Sequence, residues 1–282
     1  MPLFQRIIRV TVGGLQVEQL RCEFSVKKNL RAQPNTCTAR ITNLSEEHRK
    51  GLSQPRNGKL FLTLEAGYKT TGLSRLFRGE VRRASTVWQG PDAITTVTTG
   101  DSEKEMQESH IQATFAVGTK AEAVLLELAK ALGVGPGNVQ EAAALLQDRG
   151  AFSQGTAFSG SASRCMTDFC RSFGLTWSVQ DGVLQILERG QPIATSASSA
   201  IVLNAGTGLE GSPSVDFKPS SKDSAGGVIV KCKTRLIPGL APGRVVSLDS
   251  VQSKGLYKID EVTWDGDTHG TTWGTQLTLS SY

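Results

Sequence analysis

The sequence predicts a mainly β protein, α+β overall, in which two antiparallel β-barrel domains bracket a small inserted α+β domain. Three observations support this fold class. Apolar residues alternate along short runs before Gly100-Asp101, a helical period follows, and alternation returns near the C-terminus. Alternation is typical of half-buried strands, whereas a 3.6-residue period is typical of amphipathic helices. The predicted domains are therefore residues 1–100, 101–190 and 191–282.

Seven strands are predicted in the first domain. Gly13-Gly14 separates the first two and is a two-residue hairpin signal. A helical turn is predicted at 43–52, with Asn43 or Ser45 as its N-cap. These elements make an antiparallel β domain, most simply a small barrel. The seven strands are RIIRVTV, LQVEQL, RCEFSVKKN, CTARITNL, KLFLTLEAGY, LFRGEVRRASTVW and AITTVTTGD.

The inserted domain carries the helical pattern. Thr119 is predicted to cap a helix that Gly133 ends, and a second helix stops at Gly174. A hairpin that turns at Asp181-Gly182 follows. From Gln191 a linker rich in Ser, Ala, Gly and Pro leads to the strands of the second β domain, and no sequence repeat relates the two β regions.

Charge is unevenly distributed along the 282 residues. The net charge is +5, but residues 1–100 carry 16 Lys and Arg against 7 Asp and Glu. A basic surface of this kind suits nucleic acid or an acidic partner, although many of these side chains are expected on outward-facing strand positions. A solvated face is the favoured interpretation.

Targeting and redox signals point to a soluble protein made in a reducing cytosol. The N-terminus lacks the apolar core of a signal peptide, and no run approaches the 18 apolar residues of a membrane helix. Five cysteines are an odd count, unlike a disulfide framework, and are interpreted as small buried residues.

No catalytic, cofactor-binding or metal-binding residue is predicted. The segment GVGPGN follows a helix and lacks the GK[ST] of a phosphate-binding loop. His48, His110 and His269 are scattered and do not form the HExxH spacing of a zinc protease. The segment DGDTHG at 265–270 has two carboxylates near a glycine, yet a hairpin turn is favoured over a calcium loop.

Two long stretches, supported by a shorter one, carry a resemblance to a known family. Residues 76–101 and 207–277 resemble the tail-hub, or baseplate hub, proteins of tailed bacteriophages, a group related to the late control protein D family and to the base of type VI secretion spikes. Residues 174–187 are similar to the end of that family's inserted domain. The markers include Leu76, Phe77, Gly79, Gly90-Pro91-Asp92, Gly208, Gly211, Ser212-Pro213, the run Leu236 to Gly243, Gly255, Tyr257, Gly266-Asp267-Thr268 and Trp273.

The resemblance implies a structural protein of the virion tail tip, made in the host cytoplasm, without catalysis or cofactor. It implies a homotrimer in which each chain supplies two tail-tube-like barrels. Six barrels then match the hexameric tail tube protein, and the threefold symmetry suits a central spike or tip protein. The inserted domain would contact other baseplate proteins. Genome DNA would pass through the lumen without specific binding, and we expect no stable membrane insertion.

The passage of DNA places a condition on charge. Each phosphate contact would slow transit, so we expect most of the positive charge of the first domain to avoid the pore.

Two alternatives remain open. A tail-associated cell-wall hydrolase would use acids of the inserted domain, namely Glu103, Glu105, Asp148 and Asp168. An oligonucleotide-binding barrel would bind with an affinity that falls steeply with salt, and it ranks last.

Overall fold

The computed structural model describes residues 5–53, 59–147, 151–193, 199–219 and 226–282. Strands hold 52% of the described residues and helices 17%, and the sheets are mainly antiparallel, which confirms the mainly β prediction. Every helix in the described ranges is too short or too polar to span a membrane. The chain divides into two compact units. Unit 1 contains Met1–Asn29, Asn35–Gly100 and Pro192–Tyr282, and unit 2 contains Leu30–Pro34 and Asp101–Gln191.

Seven strands and one helix are described in the first β module of unit 1. Its strands are hydrogen-bonded in the order β3-β4-β7-β6-β5-β1-β2. The predicted hairpin at Gly13-Gly14 joins β1 and β2, and both glycines have positive φ. The elements are β1 Arg6–Val12, β2 Leu15–Val17, β3 Cys22–Asn29, β4 Thr36–Thr42, α1 Glu46–Ser53, β5 Phe61–Tyr68, β6 Gly72–Gln89 and β7 Asp92–Gly100.

The described part of unit 2 contains eight elements, of which four are strands that form two antiparallel pairs. The strands β8 and β9 pair with each other, and so do β10 and β11. The predicted turn at Asp181-Gly182 lies between β10 and β11, with positive φ at both residues. The elements are α2 Glu103–Glu108, β8 His110–Phe115, α3 Ala121–Leu132, α4 Val139–Ala144, β9 Thr156–Ser161, α5 Ala162–Ser172, β10 Leu175–Gln180 and β11 Val183–Glu188.

The second β module of unit 1 repeats the strand order of the first. Its strands run β13-β14-β17-β16, with β15 on β16 and β12 on β15. In chain order, β12, β13, β14, β15, β16 and β17 thus take the places of β1, β3, β4, β5, β6 and β7. One pairing differs, because β1 is antiparallel to β5 whereas β12 is parallel to β15. These strands are β12 Ile201–Leu203, β13 Leu209–Lys218, β14 Gly227–Arg235, β15 Val245–Asp249, β16 Lys254–Asp267 and β17 Trp273–Ser280.

Irregularities in the ladders fix the correspondence residue by residue. The β6–β7 ladder shifts register between Val81 and Arg83, and the β16–β17 ladder shifts between Ile259 and Glu261. Each module therefore carries an extra residue at the same place in its long strand. A β-bulge bends a strand and increases its twist, so the two long strands bend at the same point.

A ladder between β3 and β16 joins the two modules into one sheet. It runs from the pair Asn29 with Glu261 to the pair Glu23 with Asp267. Strand β3 therefore has β4 on one edge and β16 on the other. The predicted closed barrels are not observed among the described strands, because the edge of β3 that would close the first module pairs with the second. The division of the β residues into two separate domains stays a prediction.

One hydrophobic core extends beneath both modules. It includes Val26, Ile41 and Leu64 of the first module together with Val262 and Leu277 of the second. At the joint, the ring of Trp273 meets those of Phe24 at 5.6 Å and Tyr68 at 6.4 Å, both edge-to-face. Such pairs contribute beyond the area that they bury.

Gly266 allows this cluster to form. It faces Phe24 across the joint, and a Cβ at position 266 would overlap the Phe24 ring. A residue with a side chain would therefore push β16 away from β3 or displace the ring.

The helix ends follow the sequence in part. Ser45 accepts from the backbone N of His48 at the start of α1, and Gly133 ends α3 with positive φ, as predicted. The prediction that Thr119 caps α3 is wrong, because its hydroxyl donates to the carbonyl of Ala116 and Lys120 occupies the N-cap. The Thr119 hydroxyl is thus used by the turn before the helix and does not cap the helix.

We predict that Gly266→Ala lowers the free energy of unfolding by about 1–3 kcal/mol, the usual effect of overpacking a dense core. Urea denaturation measures it. Gly206→Ala is the matched control, since its Cβ would meet only the flexible side chain of Asn204. In a Phe24→Leu background the loss at Gly266 should shrink, and a loss of the same size in both backgrounds would contradict the clash.

Candidate assembly surface

Two stretches of strand edge in unit 1 have no partner strand among the described strands, although the equivalent edge in the other module has one. Strand β16 has β17 along one edge, and β15 and then β3 along the other. Strand β6 has β7 along one edge, but β5 pairs with the other edge only as far as Glu80. We call Arg83–Gln89 the distal half of β6. Among the described strands, nothing pairs with this half on the β5 side, and β13 pairs with β14 alone.

Side chains on these edges are exposed where their counterparts are buried. By ladder position, Val215 and Phe217 of β13 correspond to Val26 and Lys28 of β3. Val215 is 37% exposed and Phe217 81%, whereas Val26 and Lys28 are 0% and 6% exposed. The β3–β16 ladder accounts for the difference, because β16 runs along the edge of β3 and nothing described runs along β13.

The distal half of β6 presents two more large apolar side chains. Val87 is 59% exposed and Trp88 63%. The guanidinium of Arg49, on α1, lies 5.0 Å from the centre of the Trp88 ring, a cation–π arrangement. An open sheet edge beside exposed apolar residues is a site at which a further strand adds readily.

The hairpin that carries these residues is held in place at its turn. Asn43 follows β4 and has a positive φ. Its amide nitrogen donates to the carboxylate of Asp92 at 2.8 Å, and its amide oxygen accepts from the backbone N of Ala93 at 2.9 Å. These two hydrogen bonds fix the turn between β6 and β7.

The outer face of the sheet, opposite the core, is polar and continuous over eight strands, β13-β14-β17-β16-β3-β4-β7-β6. One row across five of these strands reads Asp265, Ser25, Thr38, Thr98 and Arg83. Apart from Arg83, the side chains of this row are short.

Several charges on this outer face are paired. Three of the ion pairs lie between neighbouring strands or within one strand pair, and one of these bridges the joint between β3 and β16. They are Arg40 with Glu23 at 3.0 Å, Lys27 with Glu261 at 2.9 Å and Lys231 with Asp216 at 3.8 Å.

Asp267 secures the end of the joint. Its carboxylate accepts from the guanidinium of Arg21 at 2.8 Å and from the backbone N of His269 at 2.9 Å. The hydrogen bond from Arg21 lowers the pKa of this carboxyl to about 2. The backbone of Cys22 also donates to the hydroxyl of Thr268 and accepts from its backbone N. The DGDTHG segment thus turns between β16 and β17 and holds the first module.

The acids of the hydrolase alternative lie on different elements of unit 2. Glu103 and Glu105 are in the first turn of α2, and Glu103 accepts from Gln107. Asp168 is exposed on α5, where an acid lacks the apolar pocket that glycosidases provide. Asp148 lies outside the described residues.

The three histidines form local hydrogen bonds, and four of the cysteines are buried. His48 bonds to Ser45, His110 to the carbonyl of Glu108 and His269 to Thr268. Burial raises the pKa of the thiols of Cys22, Cys37 and Cys170 to about 12, and that of Cys232 to about 11. Within the described ranges, no three His, Cys, Asp or Glu side chains are grouped to hold a metal ion.

The fold is that of phage tail proteins. It matches the 43 kDa tail protein of prophage MuSo2 from Shewanella oneidensis, with a TM-score of 0.67, 11% identity and 98% of each chain covered. A tail protein from Neisseria meningitidis matches with a TM-score of 0.66, 10% identity, and 99% and 97% coverage. The E. coli c3393 protein, a component of the type VI secretion system, matches with a TM-score of 0.61, 10% identity, and 97% and 76% coverage.

The sequence has no significant match among curated proteins. The family described as Baseplate hub gp41 matches residues 7–216. The chain therefore belongs to this family of baseplate hub proteins, structural components of the phage tail within the virion. The resemblance to tail-hub proteins is confirmed.

Sequence reasoning missed the two open edges. The signal was present in VDFK at 215–218, where a strand with apolar alternation ends beside Pro219. Alternation says which residues share a face, but not whether a partner strand covers that face.

We predict that Asp267→Asn destabilises the fold at neutral pH and that the difference from wild type disappears in acid. A lowered pKa contributes stability above the usual carboxyl value of about 3.8, and this contribution is lost as pH falls towards about 2. Urea unfolding from pH 6 to pH 2 measures both curves. A difference that does not change with pH would show that the ionised carboxylate is not the stabilising form.

Proposed function

We propose that the chain forms a homotrimeric ring that joins the hexameric tail tube to a trimeric central spike or tip. The supporting observation is the repeated strand order, with the two modules joined edge to edge by the β3–β16 ladder. Each copy then offers an open β13 at one end of its sheet and the open distal half of β6 at the other. Such unlike ends allow copies to join head to tail, and the copies form a ring when the rotation between neighbours closes.

Three copies supply six modules of like topology, so threefold symmetry imitates sixfold order. Eight strands of each copy form the continuous polar face, and three copies bring twenty-four. At about 4.8 Å between strands, the circumference is roughly 115 Å and the diameter between backbones roughly 37 Å. That opening is wide enough for a DNA duplex inside short side chains.

The outer face is then the wall of the lumen. Its ion pairs and its rows of serine and threonine suit DNA that passes without specific binding. Each Lys or Arg side chain without an acidic partner on this wall would add a contact to a DNA phosphate. Lys27 and Arg40, both from the basic first third, lie on this face but have acidic partners within 3.0 Å. These two positive charges at the lumen are thus neutralised.

The function is structural, without catalysis or a cofactor, and the partners are other tail proteins. The family and the similar folds are phage tail and baseplate proteins, which supports this view. We expect no clearing when the chain is run on a peptidoglycan zymogram. Clearing would favour the hydrolase alternative.

We predict a solution mass three times that of the 30.1 kDa chain, measured by light scattering after size exclusion. Phe217→Glu should yield monomer, because a carboxylate would have to be buried at the new strand pair. Val251→Glu is the matched control, since Val251 is fully exposed in the turn between β15 and β16 and should leave the trimer intact. A wild-type monomer at the concentrations of assembly would contradict the ring.

A further inference from the structure

We propose that Arg83 of one copy forms an ion pair with Asp216 of the next, and that this pair determines which module joins which. The inference rests on the ring proposed above and goes further, because it gives the register of the contact and the reason for the order of the modules. In the joint between β3 and β16, the long strand carries the negative side chain and the edge strand the positive one. At the proposed contact between copies, the two charges are exchanged.

The correspondence of residues follows from the ladders. After the shared bulge, Arg83 faces Thr98 on β7, and Glu261 faces Thr278 on β17. Arg83 therefore takes the place of Glu261 in the long strand.

The edge strands β3 and β13 correspond in the same way. Lys27 faces Thr36, which in turn faces Gly100. Asp216 faces Ile229, which in turn faces Ser280. Gly100 and Ser280 themselves correspond, since they face Glu80 and Lys258 just before the bulges. Asp216 therefore takes the place of Lys27.

The joint between β3 and β16 provides the geometry that we expect at the contact between copies. Lys27 faces Thr263 directly, and its ammonium reaches the carboxylate of Glu261, two residues away on β16, at 2.9 Å. When this geometry is applied to the contact between copies, Asp216 faces Ser85 and lies diagonal to Arg83. A diagonal of this kind is within reach of long side chains. The ion pair is thus reproduced with its two charges exchanged.

Both side chains are accessible in a single copy. Arg83 is exposed, and Asp216 is 61% exposed at its side chain, with Lys231 at 3.8 Å as a loose partner. The new pair therefore forms without breaking a buried contact.

The exchange of charge disfavours the wrong pairings. If β6 of one copy met β3 of another, Arg83 would oppose Lys27. If β13 met β16, Asp216 would oppose Glu261. Like charges at these positions repel, and specificity arises from such repulsion as much as from attraction. Modules of the two kinds must then alternate around the ring.

Side-chain size shows the same exchange, independently of charge. Within the chain, Gly266 on the long strand leaves room for Phe24 on the edge strand. Between copies, Trp88 takes the place of Gly266, and the irregular segment 211–213 takes that of Phe24. A contact between β6 and β3 would instead place the Trp88 ring against the Phe24 ring. The two rings would overlap, because the space beside Phe24 accommodates only a glycine.

The test is a charge-exchange cycle on the full-length chain. Arg83→Glu and Asp216→Lys should each raise the concentration at which half of the trimer dissociates by about tenfold or more. The double variant Arg83→Glu with Asp216→Lys should return it to within about threefold of wild type, because the pair is restored with reversed sign. Light scattering over a dilution series gives the midpoints.

Two controls separate the pair from its surroundings. Arg75→Glu makes the same change on the half of β6 that pairs with β5, and it should leave the midpoint unchanged. Lys231→Ala removes the partner that Asp216 has within the chain, and the trimer should persist. Thermal unfolding of each variant must match wild type to within the effect of a surface substitution.

The outcomes distinguish this inference from the proposed function. A trimeric wild type with unaffected single variants, or with a double variant as weak as the singles, would overturn the Arg83–Asp216 pair and leave the ring standing. A monomeric wild type would overturn the ring itself. Rescue by the double variant supports both.

Discussion

The backbone ladder between β3 and β16 is the contact on which the rest of unit 1 depends. It uses the edge of β3 that would otherwise close the first module, and it continues one sheet and one core from the first module into the second. Because the ladder fixes the second module by hydrogen bonds along seven residues, the distance and twist between modules are those of neighbouring strands in a sheet. A flexible link between two closed barrels would not fix the modules in this way.

The joint also explains part of the uneven charge of the sequence. Arg21 and Lys27 belong to the basic first third, and their partners Asp267 and Glu261 lie in the last third. Charges that look unbalanced along the chain are thus balanced in space. Formal charge per predicted domain therefore overstates the basic surface of the first module.

Much of the local structure could be predicted from the sequence, because local signals determine it. Gly13-Gly14 and Asp181-Gly182 turn their hairpins by adopting positive φ, and Gly133 ends its helix in the same way. The ladder between β3 and β16 could not be predicted, since its register joins residues more than two hundred positions apart. The likeness of the modules was equally hidden: Ala39 and Cys232 occupy equivalent ladder positions, as do Val97 and Leu277. A core position requires apolar volume and not a particular residue, so topology repeats while the sequence does not.

The distance along the chain between the two sides of the joint has a consequence for biosynthesis. Cys22 and Thr268, which bond at the end of the ladder, are 246 residues apart. At about 5–20 residues per second, a ribosome needs roughly 12–50 s to add that length. Throughout this interval the nascent first module carries an unsatisfied strand edge that any neighbouring polypeptide could occupy. The exposure of that edge therefore ends only when translation of the second module is nearly complete.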